Sequence, residues 1–204
     1  MLITAIEPKK KGLSAVYIDG EFAMKIDTET LILNHIDTGC EIDDDILHNV
    51  LIKSQINRCK EKALRLISFR DHSKHEIFEK LIPDYPEDIV NSTIDRLEEL
   101  NLLNDLAYAK RYAKDLSNLK HLPPKGIRQK LSQKGIDRDI IDEVLEESEI
   151  DELEQIRCII NKKYSKTIND DKTKRRATNA LLRLGHSYQN IKTVINEYTE
   201  YEDF

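Results

Sequence analysis

The sequence lacks tryptophan, and only 6% of its 204 residues are aromatic. This shortage argues against a deep aromatic ligand pocket. No apolar run approaches the roughly 18 residues of a membrane-spanning helix. Met1 is not followed by a basic and then apolar signal segment. These absences predict a cytoplasmic protein without membrane association.

Cysteine, glycine and proline are also scarce. The three cysteines, Cys40, Cys59 and Cys158, do not have the CxxC spacing of a zinc site, and we expect reduced thiols. Six glycines and five prolines are too few for a β-sandwich or a disordered chain. Charged residues, by contrast, make up 34% of the chain, which suits long solvated helices. We expect no metal and no cofactor.

Sequence motifs of catalysis are missing as well. The chain has no GxxxxGK[ST] phosphate loop, no GxGxxG after a strand, no HExxH and no GxSxG. Its carboxylates are abundant only in patterns that fit solvated helix faces. The sequence therefore predicts a protein that is not an enzyme.

What the sequence does contain is a repeated module. In HLPPKGIRQKLSQKGIDRDIIDEVL (121–145), Leu131 lies on the apolar face of one helix, Gly135 ends that helix, and a second apolar stripe follows. The same skeleton recurs 50 residues downstream around Leu181 and, one residue shorter, 50 residues upstream around Leu81. A period of this length indicates a helical repeat protein.

Each copy has room for three helices. The predicted fold class is mainly α, with three tandem three-helix repeats in an elongated curved array and a small N-terminal β-hairpin element. The β element is predicted because ITAIEP, SAVYI and EFAMKI alternate apolar and polar residues, and the last two flank Asp19-Gly20, a strong hairpin turn signal. Thr28 to His35 fits a strand or a helix. Asp43 to Asp45 supply N-cap candidates for a linking helix.

The predicted boundaries follow from these modules. The β element and the linking helix take residues 1–55, and the repeats take 56–101, 102–148 and 149–204. Caps, prolines and glycines mark the helix ends. The predicted helices from residue 56 onward are 57–69, 74–82, 86–100, 104–119, 124–134, 137–148, 150–164, 171–184 and 187–199.

Charge is banded along the chain, although the net charge is only −6. Residues 110–138 hold nine Lys or Arg against two acids, 139–154 hold nine acids and no base, and 157–183 again hold nine bases against two acids. Aligned repeats would turn this banding into a basic face, suited to a polyanion or an acidic protein groove. Solubility alone is the alternative explanation. The candidate partner-binding residues are Lys125, Arg128, Lys130, Lys134, Lys172, Lys174, Arg175 and Arg176.

The Gly turn between two helices also resembles a helix-turn-helix motif. The second helix of that motif would enter the major groove, and here it carries five acidic residues between Asp139 and Glu147. Carboxylates in that position repel phosphates. We therefore do not expect binding to a specific operator sequence.

Three ordered segments resemble the signatures of the RecX family. ISFRDHSKHEIFEKL resembles the R-x-[RH]-S-x-x-E-[LIV] signature, LNLLNDLAYAKRY looks like the second signature, and KGIRQKLSQKGID looks like the third. The resemblance covers essentially the whole chain and departs from the family pattern at His72, Leu184 and His186. The structural motif residues are Arg70, Ser73, Glu76, Asp105, Gly126, Gly135 and Gly185.

The resemblance implies a negative regulator of the RecA recombinase. Such a protein lies in the groove of the RecA filament on single-stranded DNA, inhibits its ATPase and strand exchange, and promotes filament disassembly. RecA in that filament is the expected partner, and the regulator is expected to act as a monomer. Ser73 and Glu76 are expected to form a capping box. Two alternatives stay open, a nonspecific DNA-binding protein that competes for the strand and a helical scaffold for another partner.

Overall fold

The computed structural model describes residues 1–165 and 167–200. The strands are β1 (Ile3–Pro8), β2 (Leu13–Ile18) and β3 (Glu21–Asp27). The helices are α1 (Thr28–Leu33), α2 (Asp44–Phe69), α3 (Lys74–Leu81), α4 (Glu87–Glu99), α5 (Asp105–Lys120), α6 (Pro124–Ser132), α7 (Arg138–Glu146), α8 (Glu152–Lys163), α9 (Asp171–Leu184) and α10 (Tyr188–Glu200). The mainly α fold class with a small N-terminal β element is confirmed.

The chain divides into two compact units. The first comprises Met1–His72 and Ile77–Leu103, and the second comprises Ser73–Glu76 and the chain from Asn104 onward. Helix α3 is therefore shared, since its first turn belongs to the second unit and the rest to the first. Within the described ranges, no helix has the length and apolarity needed to cross a membrane.

The first unit begins with the predicted small β element, which is a three-stranded sheet that contains the predicted hairpin. β1, β2 and β3 pair in sequence order, all antiparallel. The predicted turn joins β2 to β3, and Asp19 and Gly20 have φ values of 50° and 89°, as a type I′ turn requires. The additional strand forms because Ile3–Pro8 pairs with β2 across a loop in which Lys11 and Gly12 also have positive φ.

Helix α2 connects the sheet to the remaining helices of the first unit. Asp43 Oδ1 accepts a hydrogen bond from Ile46 N at 2.7 Å, so Asp43 is the N-cap among the three predicted candidates. The predicted start at residue 57 was wrong, because neither glycine nor proline interrupts the sequence after Asp44 and the linking helix continues to Phe69. The undecided segment after Asp27 forms α1. The remaining predicted helices agree with α3 to α10 within two residues at each end.

Two apolar clusters stabilise the first unit. One joins the sheet to α1 and the start of α2, and the other joins the middle of α2 to α3 and α4. Burial of such side chains removes apolar surface from water, at about 25 cal/mol per Å². The cluster members with at most 2% exposure are Ile3, Val16, Ile26 and Leu31 in the first cluster, and Cys59, Ala63, Ile77, Leu81, Val90 and Leu97 in the second.

The second unit contains two helix triplets with separate cores. Helices α5, α6 and α7 enclose a cluster that includes Leu131, and α8, α9 and α10 enclose one that includes Leu181. These two leucines are equivalent in the 50-residue repeat, and both are 0% exposed. The module boundaries at 56–101, 102–148 and 149–204 stay a prediction, and residues 166 and 201–204 of the last module lie outside the described residues.

Candidate partner-binding surface

The predicted cations of α6 lie on the surface of the second unit. Lys125, Arg128 and Lys130 are exposed, whereas the apolar side chains of the same helix are buried. The Arg128 guanidinium contacts the Asp142 carboxylate, and Lys130 Nζ donates to Gln133 Oε1 at 3.2 Å. Exposed contacts of this kind contribute about 0–1 kcal/mol each. Loss of these contacts would therefore change the free energy of unfolding only slightly, which leaves the three side chains able to contact a partner.

A second group of predicted cations lies at the start of α9. Lys172, Arg175 and Arg176 are exposed, and the half-buried Lys174 has its Nζ 3.9 Å from Asp171 Oδ1. Lys172 lies in the first turn of α9, where a cation is unfavourable because the N-terminal end of the helix dipole is positive. The helix dipole therefore does not account for its position.

Lys134 differs from the other predicted cations because its charge is paired within the protein. Its Nζ lies 2.6 Å from Glu76 Oε1, and the two side chains are 31% and 13% exposed. Tyr108 Oη donates to the other Glu76 oxygen at 3.3 Å, and Ser73 Oγ donates to the Lys134 main-chain oxygen at 2.6 Å. Lys134 thus has a structural role. No local sequence pattern predicts this pair, because Glu76 is 58 residues away along the chain.

The signature segments meet at the first turn of α3. Glu76 N donates to Ser73 Oγ at 3.1 Å and Ser73 N donates to Glu76 Oε2 at 3.4 Å, which are the reciprocal bonds of a capping box. The buried Asp105 accepts a hydrogen bond from Lys74 N at 2.9 Å. Side chains therefore satisfy amides that a helix start leaves without partners. Lys134 brings the third signature segment to the same point.

Gly135 permits this close approach. Its φ is +70°, in the left-handed region that favours glycine, and an added Cβ would overlap His75 Cβ. Ile136 N donates to Leu131 O at 3.2 Å, closing the end of α6. Both the backbone conformation and the available space therefore require glycine here.

A second close approach joins Gly126 of α6 to the turn after α9. A Cβ on Gly126 would overlap the main-chain oxygen of Leu184, and one on Gly185, at φ +100°, would lie 3.1 Å from Gly126 N. In the 50-residue register, Gly126 corresponds to Glu76 and Leu184 to Lys134. Gly126 has no carboxylate, so the position that corresponds to Lys134 needs no positive charge to pair with it. This is a structural reason for Leu184, which departs from the family pattern.

His186, the other departure in the last repeat, is buried and 3% exposed. Its Nε2 lies 3.0 Å from the His121 main-chain oxygen, and its Nδ1 lies 3.4 Å from Glu152 Oε1. Burial lowers the pKa of His186, and the two oxygens oppose this only in part. We infer a neutral ring that donates through Nε2. Its Nδ1 is then an acceptor facing a carboxylate, which accounts for the missing hydrogen bond at that atom.

Arg70 and His72 belong to the first unit. Arg70 Nη1 donates to the Asp71 main-chain oxygen at 2.7 Å, and His72 Nδ1 lies 2.8 Å from the Arg70 main-chain oxygen. His72 is 6% exposed. The histidine at this departure from the family pattern therefore contacts the main chain of the segment between α2 and α3.

The predicted cations and the signature residues thus have different surroundings. The cations of α6 and α9 are exposed, and buried polar side chains hold helix starts in place. Across residues 1–165 and 167–200, no three or more His, Cys, Asp or Glu side chains are grouped to hold a metal ion. The fold and the surface together define a protein of small three-helix domains with basic residues exposed on α6 and on the first half of α9.

Comparisons with known proteins identify the family. Residues 59–97 match the family model of the first three-helix domain of RecX, and residues 104–145 match that of the second. Regulatory protein RecX of Clostridioides difficile (strain 630) is 30% identical over 208 residues, covering 100% of this chain and 98% of the relative. Regulatory protein RecX of Clostridium botulinum (strain Eklund 17B) is 31% identical over 210 residues, covering 98% and 97%. The chain belongs to the RecX family of regulatory proteins.

Solved structures give the same result. A crystal structure of regulatory protein RecX has a TM-score of 0.67 at 26% identity and covers 96% of this chain and 98% of that chain. The crystal structure of RecX from Lactobacillus salivarius has a TM-score of 0.61 at 29% identity and covers 71% and 97%. The likeness therefore includes the arrangement of the helices as well as the sequence.

Replacing Gly135 with alanine is expected to destabilise the protein more than the same change at Gly39. Both glycines have positive φ, which costs an alanine about 1–2 kcal/mol. Only Gly135 is in close contact, since nothing lies within 4 Å of a Cβ at Gly39. Urea unfolding followed by circular dichroism measures both variants. Equal losses of stability would show that the His75 contact does not require glycine.

Acid is expected to destabilise the protein through His186. The pKa of His186 is lowered from 6.5 in the folded state, so the unfolded chain binds more protons as the pH falls through that value. The free energy of unfolding should therefore decrease from about pH 7 to pH 5. His186→Gln should reduce this decrease, whereas His48→Gln, at an exposed position, should retain it. Urea titrations at several pH values provide the comparison, and an unchanged slope in His186→Gln would contradict the assignment.

Proposed function

We propose that this protein is a negative regulator of RecA. It binds the RecA filament on single-stranded DNA, inhibits ATP hydrolysis and strand exchange, and promotes filament disassembly. The observation that carries the proposal is the relationship to regulatory protein RecX along the entire chain, at 30% identity over 100% of its length. The predicted curved row of three modules is part of the proposal, because such a row touches more than one RecA protomer along a filament groove.

The regulation needs no covalent step. A protein that binds one state of a filament more tightly than another shifts the assembly equilibrium toward the state it prefers. The exposed Lys125 and Lys130 of α6, and Lys172, Arg175 and Arg176 of α9, supply positive charge for acidic RecA surface or for nearby phosphates. In this proposal Lys134 contributes less than the others, because Glu76 already neutralises it.

Nonspecific DNA binding is the second candidate function, and one groove favours it. This groove lies between α9 and α10, has a volume of about 450 Å³, and is lined by Lys174, Arg175, Tyr188 and Lys192. Tyr188 is 63% exposed. An exposed aromatic ring among cations suits the stacking of single-stranded bases. In that case inhibition of recombination is simple competition for the strand.

The first experiment titrates the protein into preformed RecA filaments and measures ATP hydrolysis that depends on single-stranded DNA. We expect inhibition at molar ratios well below one molecule per DNA site, because binding to a few protomers disturbs a whole filament. Inhibition that appears only when the protein is abundant enough to cover the DNA would favour simple competition with RecA for the strand. In that case, affinity for DNA alone should fall with a log-log salt slope set by several phosphate contacts. No inhibition at any ratio would contradict regulation of RecA.

Charge reversal at Lys130 is expected to weaken inhibition of RecA. Lys130→Glu replaces an attractive contact with a repulsive one, and a change of about 1.4 kcal/mol corresponds to tenfold in affinity. Lys10→Glu makes the same change in net charge at an exposed position of the loop between β1 and β2. The ATPase assay measures the concentration for half-inhibition. If both variants inhibit like the unmodified protein, Lys130 is not part of the binding surface.

A further inference from the structure

The first unit covers the apolar surface of α2 only in part. Cys59 and Ala63 are both 0% exposed in the core of the unit. Ile52, Ile56 and Leu64 are 37%, 42% and 36% exposed. Ile56, Lys60 and Leu64 follow one another at intervals of four residues, so they lie along one side of the helix, beside the buried side chains. The first unit therefore leaves an apolar ridge of α2 in contact with solvent.

The ridge borders a groove between α2 and α4. Ile56 and Leu64 form one wall, Leu97 lines the groove from α4, and Leu100 and Leu102 from the segment after α4 complete it. Leu100 and Leu102 are 45% and 47% exposed. The volume is about 230 Å³, which is below the roughly 300–1,000 Å³ of small-molecule sites. The size suits apolar side chains that project from another polypeptide.

The polar groups of the groove indicate the charge of its occupant. Lys60 and Arg96 are the charged side chains among the described residues that line it. Arg96 Nη1 lies 2.7 Å from Glu99 Oε2, but both side chains are more than 60% exposed. Such a pair is weak, so Arg96 can contact a carboxylate of a partner instead. The groove thus presents two cations beside an apolar surface.

We propose that this groove binds an acidic amphipathic helix of a partner protein. Apolar side chains four residues apart on that helix enter between Ile56, Leu64 and Leu100, and its carboxylates face Lys60 and Arg96. This is the helix-in-groove mode, in which apolar anchors give affinity and flanking charges select the partner. The inference does not depend on the proposed regulation of RecA, because it rests on α2 and α4 alone.

The test uses the whole protein and a synthetic peptide. The probe is a fluorescent peptide of about 15 residues, near the shortest length with appreciable helix content. It has leucine at every fourth position and otherwise glutamate and alanine. A second peptide replaces each glutamate with lysine, and a third replaces each leucine with alanine. Fluorescence anisotropy should show binding of the first peptide at least about tenfold tighter than that of either other peptide, as apolar anchors and charge selection require.

Two sets of variants locate the binding site. Leu64→Gln with Leu100→Gln should weaken binding of the acidic peptide about tenfold or more, because the anchors lose their apolar contacts. Lys60→Glu with Arg96→Glu should reverse the preference toward the lysine peptide. Leu119→Gln is the matched control, since Leu119 of α5 is 74% exposed and lies in the second unit. Circular dichroism verifies that each variant retains its helix content.

The outcomes separate the proposal from its alternatives. Equal binding of the acidic and lysine peptides, no binding of the acidic peptide, or unchanged binding by Leu64→Gln with Leu100→Gln would each overturn it. Sedimentation equilibrium tests a second copy of this chain as the occupant. A dimer that dissociates on Leu64→Gln with Leu100→Gln would replace the acidic helix with self-association. A protein that stays monomeric and binds the acidic peptide supports the proposal.

Discussion

The arrangement of the second unit depends on two places where a helix start touches a glycine turn so closely that no side chain fits between them. At Gly135 the neighbour is His75, and at Gly185 it is Gly126. A Cβ at either turn would also be held in left-handed backbone. These close contacts, with a side chain at Gly135 and with backbone at Gly185, thereby restrict the relative positions of four helix ends. The glycine turns also position the apolar side chains. Leu131 lies about one helical turn before Gly135, and its side chain is buried in the core between α5, α6 and α7.

The two contacts use different chemistry at equivalent positions. Glu76 and Lys134 form an ion pair at the first, and Gly126 and Leu184 pack directly at the second. When one partner of an ion pair shielded from solvent is lost, the protein is strongly destabilised, because the other charge remains uncompensated. The repeat avoids this by changing both positions together. It also divides the basic residues into a structural lysine and exposed cations such as Lys130, a division that total charge does not reveal.

Sequence patterns predicted the helices well because apolar spacing, caps and glycines are local signals. Leu131 and Leu181 were expected on buried faces, and both are completely buried. The continuity of α2 was missed, because the sequence pattern predicted one helix after the N-cap candidates and a second from residue 57. Periodicity alone does not distinguish one uninterrupted helix from two helices in line. The pairing of Lys134 was missed because contacts between distant segments depend on how helices pack. The same limit applies to the groove beside α2, which only the placement of α4 creates.

The length of α2 has a mechanical consequence. The helix contains 26 residues with neither glycine nor proline, so it extends for about 39 Å at about 1.5 Å per residue and has no built-in hinge. One end packs against the sheet and the other part packs against α4. Any rotation of the sheet is therefore transmitted along a stiff lever, and a tilt of a few degrees at one end becomes a displacement of several ångströms at the other.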